Sequence, residues 1–113
     1  MPSFVTANRA ALRRRHYVRD ATAANRWFDF ASSKVQQFER RYGDDFCLVV
    51  NGSEDADDAY VLPYRFARQV FKAEHLDSRG RWVGTIVGDH LKLGKADRSH
   101  PVHEFHNAFH LLR

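Results

Sequence analysis

The sequence predicts an α+β fold of four or so mostly antiparallel strands, with helices packed on one face and element order ααββαββα. Three observations carry this. Apolar residues recur at steps of three and four over residues 24–42. Two short β-rich runs follow at 46–50 and 60–62. A second pair, 81–87 and 90–93, flanks Gly88-Asp89, a two-residue turn that favours hairpins.

The elements follow in order. Phe4, Ala7, Ala11, Leu12 and Val18 form an untidy stripe that predicts a first helix over 4–18. Ala24, Trp27, Ala31, Val35, Phe38 and Tyr42 predict a second over 21–42, capped by Asp20 or Thr22. Arg40 and Arg41 suit the negative end of its dipole, and Gly43 stands where a helix stops. At about 1.5 Å per residue this helix would be about 33 Å long. Phe46–Val50 reads as a buried strand ending at Asn51-Gly52, then an acidic loop leads to Tyr60–Leu62. Pro63 ends that strand and opens a helix reaching about residue 73. Val102, Phe105, Phe109 and Leu112 predict a closing helix.

The chain of 113 residues fits a single domain, 1–113, and its nine Phe, four Tyr and two Trp supply a core without disulfides. Cys47 lies in an apolar run and reads as an inert buried thiol. No stretch approaches the roughly 20 apolar residues of a membrane span, so the expected location is the cytoplasm.

Charge is segregated: +6 over residues 1–43, −6 over 44–62 and +4 over 63–113. Clustered cations steer acidic partners. Arg13, Arg14 and Arg15 are consecutive and followed by His16, Tyr17 and Arg19, and Arg65, Arg68 and Lys72 recur on one side of the helix after Pro63. Arg81 precedes Trp82 at the start of the hairpin, with Lys92 and Lys95 beyond. Guanidinium groups donate paired hydrogen bonds to phosphate and stay charged. The expectation is a nucleic-acid-binding surface, for double-stranded DNA, made of Arg13, Arg14, Arg15, Arg65, Arg68, Arg81 and Lys92. For each the plainer account is a solvated or locally paired surface charge, and for Trp82 it is a core side chain.

His100, His103, His106 and His110 have helical spacing that suits zinc or copper, yet they also fit the polar side of the closing helix. His103-Glu104-Phe105-His106 is one residue short of the metalloprotease pattern. The acidic loop Glu54, Asp55, Asp57, Asp58 lacks the glycine and closing Glu of a calcium loop. No catalytic residue, metal ligand or cofactor motif is assigned, and an enzyme is the less favoured class. The rival reading is a protein-interaction domain pairing with itself or with a subunit or parent protein through its opposite charge blocks; a His-metal hydrolase comes third.

Asp58-Ala59-Tyr60-Val61-Leu62-Pro63, then Arg81-Trp82 with an apolar strand, then Glu104-Phe105-His106-Asn107-Ala108-Phe109 form a further pattern. It resembles small modules attached to bacterial restriction endonucleases, in which a D-x-Y-hydrophobic-P run ends a strand and a Trp opens the next. The likeness covers about half the chain. It implies DNA recognition, including that of modified DNA, by a domain separate from the nuclease. The base-reading modules are β-barrels, whereas this sequence reads as richer in helix, so no functional residue is carried over.

Overall fold

The structure, a computed structural model, describes residues 4–21, 26–52 and 58–112. Two short helical turns, α1 (Phe4–Ala7) and α2 (Arg9–Leu12), lead into strand β1 (Tyr17–Asp20). Next come β2 (Trp27–Ala31), helix α3 (Ser32–Tyr42), β3 (Cys47–Asn51), β4 (Ala59–Pro63) and helix α4 (Tyr64–Val70). Strands β5 (Arg81–Val87), β6 (His90–Leu93) and β7 (Ser99–Pro101) follow, and 3₁₀ turns occupy Ala73–His75, His103–Phe105 and Phe109–Leu111.

The fold is α+β with mostly antiparallel pairing. The described strands form two sheets, of order β1-β3-β4 and β2-β5-β6-β7, rather than one sheet of about four. Only β1 with β3 is parallel among the described pairs.

All four expected helices are shorter than their spacing suggests. The helix over 21–42 begins only at Ser32; residues 27–31 are strand, and 22–25 lie outside the described residues. The reason is a competing period of two: Phe28 and Phe30 are buried while Trp27 and Asp29 face outward. The helix over 4–18 stops at Leu12, because Tyr17 and Val18 are buried on opposite sides, as in a strand between two layers. The closing helix is two 3₁₀ turns broken at Asn107, whose φ of 52° lies in the left-handed region. The helix after Pro63 ends at Val70, so Lys72 lies beyond it.

Other elements match their chemistry. Gly43 follows the last turn of α3 at φ 63°, its N–H donating to the Glu39 carbonyl at 2.7 Å. Gly88 and Asp89 both have positive φ, the geometry of a type I′ hairpin turn, and set the register Val87 opposite His90.

One core cluster fills the space between the sheets: Leu48, Val50, Tyr60 and Leu62 meet Phe28, Phe30, Trp82, Ile86, Leu91 and Leu93. A second lies behind the three-stranded sheet, where Val18, Val49 and Val61 pack with Val5, Leu12 and Ala108. The sheets are joined at β1 and β2, where the Ala31 N–H donates to the Tyr17 hydroxyl at 3.0 Å. No described helix is long and apolar enough to cross a membrane.

Candidate nucleic-acid interface

The arginine run sits in the turn between α2 and β1, and a buried histidine holds that turn. His16 is 2% exposed, and its Nδ1 accepts the Cys47 N–H at 3.0 Å. An accepting Nδ1 places the proton of the neutral ring on Nε2. The Tyr42 hydroxyl donates to the Arg14 carbonyl at 2.6 Å, and the Arg15 guanidinium stands 5.6 Å from the Tyr42 ring centre. Arg15 also donates to the Asp45 carbonyl at 3.1 Å and pairs with its carboxylate.

Two cavities open on either side of His16. The larger, about 440 Å³, is lined by Arg15, His16, Asp44, Asp45, Cys47 and Arg65 among others. Arg68 reaches its edge, 3.0 Å from Asp44. The smaller, about 160 Å³, is lined by Arg13, His16, Tyr17, Arg19, Lys34 and Phe38 among others. Arg19 then donates to Asp29 at 2.6 Å, and Arg81 donates to the other carboxylate oxygen at 2.6 Å. Burial raises Asp29, but the hydrogen bonds from Arg19 and Arg81 outweigh it and hold the carboxyl below its usual range.

Because the two cavities share His16, these residues fall into one strip, from Arg65 and Arg15, past Arg13 and Lys34, to Arg19 and Arg81. Arg13, Arg15, Arg19, Lys34, Arg65, Arg68 and Arg81 face four carboxylates, Asp20, Asp29, Asp44 and Asp45, so the strip is positive. The pairs with Asp44 and Asp45 involve well-exposed carboxylates. Exposed pairs contribute about 0–1 kcal/mol, so a phosphate can displace them at little cost. The half-buried Asp29 bridge is different: it ties β1 to the four-stranded sheet and commits Arg81 structurally.

Of the seven expected residues, Arg13, Arg15, Arg65 and Arg68 gather around the cavities, with Arg81 at the far end. Arg14 is exposed beside them but lines neither cavity, and neither does Lys92, which lies on the outward side of β6. Sequence reasoning missed Lys34, noted His16 and Arg19 only as neighbours of the arginine run without assigning them to the surface, and placed Trp27 in a helical core stripe. The alternation of Trp27 and Asp29 with Phe28 and Phe30 was the signal that turns Trp27 outward. Trp82 is core, its indole N–H donating to the Lys72 carbonyl at 2.7 Å.

Among the remaining candidates, His106 and Asp58 do structural work. His106 Nε2 lies 2.8 Å from Asp58, and Asn107 bonds both the Asp58 carboxylate, at 3.1 Å, and the Ala59 N–H, at 2.9 Å. Hydrogen bonds from Asn107 and His106 lower Asp58, so this cluster clamps the C-terminal turns to β4. Among the described residues no group of three or more His, Cys, Asp or Glu could hold a metal ion; Glu54, Asp55 and Asp57 lie outside them. Burial pushes the Cys47 thiol up to about 11, which leaves it protonated and unreactive at neutral pH. The chain matches no protein-family model, no curated protein and no solved structure, so the geometry of this strip carries the functional reading.

Proposed function

We propose that this chain binds nucleic acid, specifically double-stranded DNA, by seating phosphates along the strip from Arg65 to Arg19. The observation that carries the reading is that two cation-lined cavities share His16, which gathers Arg13, Arg15, Lys34 and Arg65 from three distant stretches around one buried ring. Phosphate contacts of this kind position a protein on DNA without specifying sequence. The longest dimension of the molecule, 38 Å, matches about eleven phosphate steps of 3.4 Å along one strand. A cytoplasmic role as the recognition part of a restriction-type system, as the resemblance implies, belongs to the same proposal.

A gel shift of blunt duplex across a salt series tests it. About six phosphate contacts weaken binding about 10³-fold between 50 and 200 mM salt. No shift at 50 mM salt, with a dimer on size exclusion, would instead favour the self-pairing reading.

A further inference from the structure

The four-stranded sheet has one side packed into the core and one side open. Registers place Trp27 opposite Thr85, Thr85 opposite Lys92 and Lys92 opposite Ser99, so these four side chains form a row across all four strands on the open side. Val87, His90 and Pro101, all exposed, form the next row. Trp27 is 38% exposed although it is an indole on a strand.

The indole is laid across the sheet. Its Cζ3 and Cη2 atoms lie 3.5 and 3.6 Å from the point where a Cβ at Gly94 would stand. Gly94 follows β6 and donates to the Val83 carbonyl at 2.8 Å, so the ring reaches from β2 past β5 to the end of β6. Glycine at 94 adds no side chain beneath it.

Two lysines and a histidine stand near this ring. Lys92 shares its row, His90 stands in the next, and Lys95 follows Gly94 in the turn. Of the described carboxylates near this face, Asp29 already holds two guanidinium groups, Asp89 accepts from the Tyr60 hydroxyl, and Asp97 is exposed in the same turn as Lys95. A protein partner docking by apolar contact would want a contiguous apolar patch. Here Trp27 and Val87 are set among Thr85, Lys92, His90 and Ser99 instead. A partly exposed indole flanked by lysines suits a nucleobase and its phosphates.

We propose that this open face takes an unpaired stretch of DNA, with one base stacked on Trp27 and adjacent phosphates held by Lys92 and Lys95. The proposal rests on the DNA-binding reading and adds a preference for duplex carrying a single-stranded tail. Arg81, on the same sheet, connects this face through Asp29 and Arg19 to the cationic strip.

The test compares blunt duplex with the same duplex bearing an oligothymidine tail, for wild type, Trp27→Ala, Trp27→Phe and Lys92→Ala. Tailed DNA is expected to bind more tightly than blunt and to quench tryptophan emission, since Trp82 is buried and Trp27 is not. Trp27→Ala should cut affinity for tailed DNA about tenfold, Trp27→Phe less, and neither should alter blunt-duplex binding. Thermal melts identify any variant that fails to fold, in which case Trp27→Phe and the quenching of wild type decide. Equal affinity for tailed and blunt DNA, with no quenching, would overturn the proposal while leaving the strip intact. Failure of both DNAs to bind at 50 mM salt would remove the DNA reading and this proposal with it.

Discussion

The two sheets of this protein are built to opposite plans. In the three-stranded sheet, every residue of β3 is buried, and so is every residue of β4 before Pro63. Successive side chains alternate between two core clusters, Leu48 and Val50 into one, Cys47 and Val49 into the other. In the four-stranded sheet, β6 alternates buried and exposed residues, and β5 alternates buried residues with half-buried or exposed ones. A near-continuous apolar run marks the first kind of strand and alternation the second. The lesson is a division of labour: the doubly covered sheet puts nearly every strand residue into a core, while the four-stranded sheet leaves one side open, where the proposed DNA contacts of Trp27 and Lys92 lie.

Substitutions sharpen that contrast. Leu48→Ala removes a fully buried side chain from the covered sheet and should lower unfolding free energy by about 2–5 kcal/mol in urea titration. A loss below about 1 kcal/mol would break the assignment of that sheet to a covered core.

Asp29→Asn, at the junction of the sheets, should have a smaller and pH-dependent effect. The folded carboxyl lies below its ordinary value, so the unfolded chain binds a proton first as pH falls. Stability from Asp29 is therefore present above about pH 4, the ordinary Asp value, and is lost as pH falls through the lower folded value. The gap between wild type and Asp29→Asn should be widest near neutrality and close in acid. Asp20, Asp58 and Asp77 are lowered too, so the variant should retain part of its acid sensitivity. A gap that is constant from pH 7 to pH 3 would show that the carboxylate charge does not join the sheets.

Lys92→Ala, on the open side, should change stability least, within about 0.5 kcal/mol, while weakening binding of tailed DNA. A large loss of stability would make this lysine structural rather than a contact for phosphate.

The covered sheet was largely legible in the sequence. Phe46–Val50 has too many consecutive apolar β-formers to be anything exposed, and Asn51-Gly52 and Pro63 mark where its strands end. The hairpin was legible too, because Gly88-Asp89 specifies a turn by local backbone preference. Strands β1 and β2 were not. Trp27, Phe28, Phe30 and Ala31 crowd enough apolar groups together to satisfy a helical period with Ala24 and Val35, and nothing local favours the strand. The parallel partner of β1 is likewise some thirty residues away in sequence, Tyr17 lying opposite Leu48. The interface shows the same limit. Arginine chemistry was visible residue by residue, but the ion partners are 24, 30 and 52 positions distant, for Arg68, Arg15 and Arg81 respectively. The partners are Asp44 and Asp45 in the acidic block and Asp29 in the basic one, and no spacing in the sequence marks any of the three.

Convergence of the cations is tested most directly by the slope of log affinity for duplex DNA against log salt in three proteins of known fold state. These are wild type, Arg13→Ala/Arg15→Ala/Arg65→Ala on the strip, and Arg40→Ala/Lys72→Ala/Arg98→Ala, which removes three exposed charges that line neither cavity. Removing three phosphate contacts should make the slope shallower by about 2.7 for the strip variant and leave the control near wild type. Equal losses in both variants, or no loss in either, would contradict a localised cationic interface.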